Sequence, residues 1–240
     1  MKLLETLRQE QSSQLKGGIY HKTQIKLAYH TNRIEGSKLS EEQTRYIYET
    51  NTLFTENGEN TSNIDDILET VNHFHCFDYM LKIASEPLSE THIKKFHSIL
   101  KCNTSDARKE WFHVGDYKSR PNIVGGVETS KPNEVKKHIK QLVKEYNEKH
   151  HIDVFDIIDF HFQFEKIHPF QDGNGRVGRL IMFKECLKHE IVPFIIEDEF
   201  KFFYYRGLSE YLNVKDYLRD TCLSAQDQYI QWLRYFEIEF

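Results

Sequence analysis

Cysteine, proline and glycine are scarce in this chain, at four, five and eleven of 240 residues. The cysteines, Cys76, Cys102, Cys186 and Cys222, lie far apart with no C-x-x-C pair, so reduced thiols are expected rather than a disulfide framework. No apolar run approaches the ~18–20 residues that cross a bilayer, which excludes a membrane-spanning helix. The opening residues MKLLETLR contain an acid and no apolar stretch, unlike a secretory signal. A cytoplasmic protein without a membrane partner is the expectation. Positive charge is not in excess either: the formal net charge is −5 and the pI about 6.2. That excludes general affinity for nucleic-acid backbones, and Lys136 and Lys137 read as a solvated helix face.

Apolar residues are present in quantity. Hydrophobic side chains make up 39% of the chain, with 17 Phe and 13 Tyr, enough for a substantial core in one large domain. Most of that material recurs at helical steps. Residues 19–34 form one such segment, with Gly36 as its stop. Ser40 to Gln43 is a capping box opening the next, and Asn57 to Asn60 is turn-like. Ile67, Leu68, Val71, Phe74, Phe77, Met80 and Leu81 mark a helix over 64–83, and Leu88-Ser89-Glu90 begins another. Residues 115–132 break the pattern: Asn122-Ile123-Val124 ahead of Gly125-Gly126 predicts a short hairpin. Helical spacing returns over 132–146, 153–167, 180–187 and 204–236, while 191–196 is ambiguous. The chain reads as one all-α domain with one small hairpin.

The segment HPFQDGNGRVGR, residues 168–179, carries the chemistry. Its second half satisfies G-x-G-x-x-G, and Glu197-Asp198 lies about 20 residues beyond, as in a dinucleotide-binding βαβ unit. Against that, His168 to Asp172 interrupts any strand running into Gly173, and Pro169 would remove a ladder donor. The chain also lacks alternating strands and helices. A different phosphate chemistry fits better. Glycines on both sides of Asn174 let the backbone curl and turn N–H groups inward, and a helix starting near Gly175 would add its N-terminal dipole. Arg176 and Arg179, three apart, share a helix face and can reach further phosphate oxygens. Asp172 then suits Mg²⁺ shared with those phosphates, and His168 is the candidate proton acceptor near neutral pH. A capped loop with an ordinary histidine and two solvated arginines is the bland alternative.

These twelve residues resemble the signature of the Fic family, His-x-Phe-x-Asp/Glu-Gly-Asn-Gly-Arg-x-x-Arg, without departure at a defining position. The resemblance covers roughly residues 20–220. It implies a Fic-type helical core with a β-hairpin flap and a nucleotidyltransferase activity: transfer of AMP from ATP to a hydroxyl of a protein substrate (AMPylation). It would make His168 the general base, Phe170 the loop's anchor and Asp172 the Mg²⁺ ligand. Phosphate binding would fall to Gly173, Asn174, Gly175, Arg176, Val177, Gly178 and Arg179, with Arg179 on the γ-phosphate. Glycine at 175, where phosphorylating relatives carry lysine, points to AMP transfer.

Thr31-Asn32-Arg33-Ile34-Glu35-Gly36 further resembles the family's inhibitory motif, Ser/Thr-x-x-x-Glu-Gly/Asn. By that resemblance Glu35 would pair with Arg179 and keep the γ-phosphate from settling. Glu35 would also sit at a helix C-terminus, where negative charge is disfavoured by ~0.3–1 kcal/mol; an exposed turn acid is the plainer reading. Residues 1–60 would form N-terminal helices bearing this motif, packed on a catalytic core at 61–240 with the flap at 115–130. Asn122, Ile123, Val124 and Gly125 would dock the target as an added strand. Tyr204 and Tyr205 fall where relatives place aromatics beside adenine, with core packing the alternative, and Asn213 falls near a polar contact. Self-modification, common in the family, is a further expectation, and the oligomeric state stays open. Removal of AMP by the same site, or nucleotide sensing without catalysis, are the rival functions. His73, His75 and Cys76 invite a zinc reading, but i and i+2 diverge on a helix. His150-His151 reads as a helix end, and His161, one heptad before His168, as a packed or surface histidine.

Overall fold

The periodic segments become helices with caps the sequence spells out. The computed structural model describes residues 2–53 and 62–240, and among them ten α-helices and one two-stranded sheet follow in order. They are α1 (Lys2–Ser13), α2 (Ile19–Ile34), α3 (Glu41–Thr50), α4 (Ile64–Ile83), α5 (Glu90–Leu100), β1 (Ile123–Val124), β2 (Val127–Glu128), α6 (Pro132–Asn147), α7 (Val154–Ile167), α8 (Asn174–Lys188), α9 (Lys201–Glu210) and α10 (Asp216–Tyr235). The turn expected at Asn57 to Asn60 lies outside the described residues.

Local chemistry sets the boundaries. The Ser40 hydroxyl accepts the Gln43 N–H at 3.1 Å and the Gln43 side chain accepts the Ser40 N–H at 2.9 Å, a closed capping box. Asp153 and Asp156 do the same at the head of α7. Pro132 opens α6 at a position where its missing N–H has no cost. Between β1 and β2, Gly125 and Gly126 have φ of 57° and 81°, the two left-handed residues of a tight hairpin turn. Ile123 pairs with Glu128 and Val124 with Val127.

Helix α8 is the axis of the packing. All but two of its residues are buried, so its sequence shows little amphipathic signal. It lies against α7, α5, α4 and α2. Phe164, Phe170, Val177, Leu180, Ile181 and Phe183 join one core with Phe77, Met80, Phe96 and Leu100. Even Lys184 and Glu185 are buried, paired with each other at 2.7 Å.

One sequence expectation needs correction, and two open ones become definite. The segment 204–236 is not one helix: α9 ends at Glu210, whose carbonyl takes the N–H groups of Asn213 and Val214 at 2.8 Å each, and α10 begins at Asp216. Residues 191–196 form neither helix nor strand, and 160–167 are helical, so no βαβ unit exists there. Helix α8 begins at Asn174, well before residue 180. Helix α1 is anchored by Leu3 and Leu7, one turn apart and fully buried. Leu7→Ala is expected to lower stability by about 2–5 kcal/mol, read as a fall in the urea midpoint at unchanged slope.

Candidate active site

The turn between α7 and α8 is built on a conformation few side chains accept. His168 caps α7 at φ 52°, ψ 65°, in the left-handed region, which costs roughly 1–2 kcal/mol for a residue with a Cβ. Its N–H still donates to the Phe164 carbonyl at 2.9 Å. Phe170 then plunges into the core, stacked flat on His97 with ring centroids 4.0 Å apart. Asn174 closes the turn: its Oδ1 accepts the Phe170 N–H at 2.8 Å and its Nδ2 donates to the Phe170 carbonyl at 2.9 Å. Gly173, at φ 83°, is the N-cap of α8 and requires glycine. The first intrahelical bond runs from the Val177 N–H to the Gly173 carbonyl, so the N–H groups of Asn174, Gly175 and Arg176 open the helix without intrahelical acceptors. Such an end attracts anions.

The His168 imidazole is mostly enclosed, and burial, with the nearby Lys118 charge, lowers its pKa to about 4. It is therefore neutral at physiological pH and able to accept a proton. Its Nδ1 lies 3.8 Å from the Glu165 carboxyl, too far for a hydrogen bond. Glu165 is pushed the other way, to about 8, by burial and then by the Glu35 charge.

Both arginines are buried and neutralised. Arg176 bonds Glu69 of α4 and, at 2.9 Å, Oδ2 of Asp172. Arg179 bonds Glu35 Oε1 at 2.5 Å, the Thr31 carbonyl and hydroxyl at 3.3 Å each, and the Tyr204 hydroxyl at 3.3 Å. Glu35 is the C-cap of α2, so the sequence-predicted pair between Glu35 and Arg179 is formed. A Cβ on Gly175 would come within 2.3 Å of Glu35 Oε1, so glycine at 175 leaves the space that Glu35 occupies.

Sequence reasoning did not find Lys101. It is buried, and its ammonium meets Asp172 at 2.7 Å, Asp106 at 2.8 Å and Glu69 at 2.5 Å. Arg176 and Lys101 hold the Asp172 carboxyl well below the usual carboxylate range. That side chain is still 46% exposed. An ionised, accessible carboxylate fits Mg²⁺, which takes most of its ligands from water and phosphate. Among the described residues no three His, Cys, Asp or Glu side chains converge as an all-protein metal cage would need. His73, inspected in the sequence for zinc, is buried beside both arginines and held neutral, at about 3, chiefly by burial.

Other site candidates land differently. Val177 is buried in the core and Gly178 packs against α7, where a Cβ would strike the His161 ring at 2.7 Å; neither has a group left for a phosphate. Tyr204 is buried behind Arg179, its hydroxyl 2.7 Å from His161 Nε2. Tyr205 is partly exposed and its hydroxyl donates to the Ile34 carbonyl at 3.2 Å. Asn213 sits in the α9–α10 turn, donating to Glu210 at 3.1 Å. In the hairpin, Ile123 and Val124 are 66% and 47% exposed, whereas the Asn122 side chain turns inward and donates to the Phe170 carbonyl at 3.2 Å. Nothing in the local sequence marks Lys101, Glu69 or Glu165; apart from Asp106, which is near Lys101 in the chain, the charged groups they face are tens of residues away.

Residues 87–186 match the Fic/DOC family. The chain is 23% identical over 201 residues to the protein adenylyltransferase Fic of Drosophila ananassae, covering 80% of this chain and 38% of that protein. To the protein adenylyltransferase Fic of Nematostella vectensis it is 28% identical over 190 residues, 77% of this chain and 42% of that one. It thus spans less than half the length of these relatives. A Fic-domain signalling protein of Bacteroides thetaiotaomicron shares the fold, with a TM-score of 0.74 at 21% identity over 96% of this chain and 94% of that one. The Fic/DOC match thus covers residues 87–186, and the fold is that of a Fic-domain protein.

Glu165 offers a test of the site's electrostatics. Its folded pKa of about 8 lies above the ordinary 4.5, so between those values the folded protein holds a proton that the unfolded chain has released. Stability therefore falls as pH rises through that window. Glu165→Gln, neutral throughout, is expected to melt higher than the parent, with a gap that widens between about pH 5 and about pH 8.

Proposed function

We propose that this chain is a protein adenylyltransferase that moves AMP from MgATP to a Ser, Thr or Tyr hydroxyl of a target protein and releases pyrophosphate. The observation that carries the reading is the turn itself. A neutral, enclosed imidazole stands at its head, unpaired helix N–H groups follow, and two buried arginines lie one turn apart.

In the proposed reaction His168 takes the proton of the attacking hydroxyl. The new bond forms between that oxygen and the α-phosphorus, the α–β bridging bond breaks, and the electron pair leaves with pyrophosphate. The N–H groups at the start of α8 stabilise charge on the phosphate oxygens as it develops. Asp172 would hold Mg²⁺, which when bound offsets the charge of the triphosphate. Arg176 and Arg179 orient the outer phosphates. Ile123 and Val124, exposed on β1, would receive the target as an added strand.

Self-inhibition is the second half of the proposal. A γ-phosphate seeking the Arg179 fork meets a carboxylate already bonded there, so Glu35 must leave before ATP binds productively. The same carboxylate, lying beside Gly175, could instead orient water to remove AMP from a modified target. Comparing Glu35→Ala with wild type on an AMPylated substrate separates the two: loss of AMP release in the variant favours removal.

Label from α-³²P-ATP, and not from γ-³²P-ATP, is expected on protein. His168→Ala is expected to reduce transfer by at least ~10²-fold, and equal activity in that variant would defeat the assignment. Glu35→Gly is expected to raise transfer on the order of tenfold or more, from loss of a charged hydrogen bond. The acid limb of the pH–rate profile is expected to inflect near 4, the His168 value, rather than at the ordinary imidazole value.

A further inference from the structure

Lys118 has no role in the reaction described so far, and its surroundings are unusual for a lysine. It lies in the segment leading into β1, and its side chain is 4% exposed. The ammonium donates to Asn122 Oδ1 at 2.7 Å, Thr129 Oγ1 at 2.6 Å and the Ile167 carbonyl at 3.4 Å. Every one of these acceptors is neutral. A buried ammonium whose three donors meet only neutral groups is costly where an apolar side chain could pack. Burial accordingly lowers its pKa to about 8.

The three acceptors belong to two structures. Asn122 and Thr129 flank the hairpin on either side, one before β1 and one after β2. Ile167 is the last residue of α7, whose C-terminal carbonyls favour a cation, and the next residue is His168. The backbone completes the clamp. The Lys118 N–H donates to the Pro169 carbonyl at 2.9 Å, and Asn122 Nδ2 to the Phe170 carbonyl at 3.2 Å. Three of the four peptide carbonyls from 167 to 170, those of Ile167, Pro169 and Phe170, are thus held from the flap side.

The geometry points to Lys118 as a positioning residue: it ties both legs of the flap to the turn that carries His168, so that a strand docked on β1 presents its hydroxyl in register with the imidazole. This rests on the transferase reading above. Without the ammonium, the flap legs and the His168 turn lose their common anchor while the phosphate-binding end of α8 is untouched.

The test compares Lys118→Met and Lys118→Arg, each in a Glu35→Gly background. The readouts are hydrogen exchange, MgATP affinity by calorimetry, and label transferred from α-³²P-ATP to lysate proteins at saturating MgATP. In Lys118→Met, amides of residues 119–131 and 168–171 are expected to exchange roughly tenfold faster. Transfer should fall about 10–100-fold, while the MgATP dissociation constant stays within about twofold. Lys118→Arg should restore most of the transfer, since it keeps the charge. Unchanged exchange and transfer in a folded Lys118→Met protein would overturn the proposal. So would a matching loss of MgATP affinity, which would make Lys118 part of the nucleotide site. If the Glu35→Gly parent transfers no label at all, the transferase reading fails, and the exchange comparison still decides whether the pin exists. Should Lys118→Met not fold, Thr129→Val removes one leg of the clamp and is read in the same way.

Discussion

Helix α8 is surrounded by protein, yet it carries two arginines near its start, and that constraint organises everything around it. Both guanidinium groups are almost wholly shielded from water, so carboxylates must be brought to them. Glu69 comes from α4, Asp172 from the turn before the helix and Glu35 from the end of α2. Lys101 adds a third buried cation and draws in Asp106 as well. The arrangement of helices can be understood as the means of delivering these acids. In the proposed reaction the same cations and the unpaired N–H groups at the start of α8 would seat the triphosphate, so the electrostatic problem of the fold and the proposed binding would have one origin.

The histidines show the same economy in reverse. His73, His97 and His161 lie close to those cations and His168 close to Lys118, and burial keeps each of them neutral. Three serve packing: His97 supports Phe170 and accepts the Gly115 N–H, His161 meets Tyr204, and His73 fills space between α4 and α8. Only His168 is placed at the mouth of the turn. Its chemistry comes from position on the backbone more than from any special partner, and the left-handed conformation that sets that position is sustained by Asn174 within the loop and by Lys118 and Asn122 from outside.

Much of this was legible in the sequence. The boundaries of α2 and α4, the Ser40 capping box, the hairpin at Gly125-Gly126 and the pairing of Glu35 with Arg179 follow from local patterns or from the motif at 31–36. What was not legible shares one property. Lys101 with Glu69, Glu165 with Glu35, and Lys118 with Ile167 are each joined across long stretches of chain, and no local pattern encodes them. The glycine motif leaves a related question open, since it does not say which glycine faces a ligand and which lets two helices approach; at Gly178 the neighbour is α7. Tyr204 takes the core-packing alternative of its two sequence readings.

The thiols carry a practical consequence. Cys76, Cys186 and Cys222 are enclosed, and burial raises their pKa well above the ordinary range, so they remain protonated and shielded from reagents. Cys102 alone is exposed, and it is the chain neighbour of Lys101, with its carbonyl held by Asn72 at 2.8 Å. A maleimide fluorophore would therefore attach at one place in the native, unmutated protein, beside the buried charge cluster. The wild-type chain comes with a built-in spectroscopic handle at the edge of that cluster.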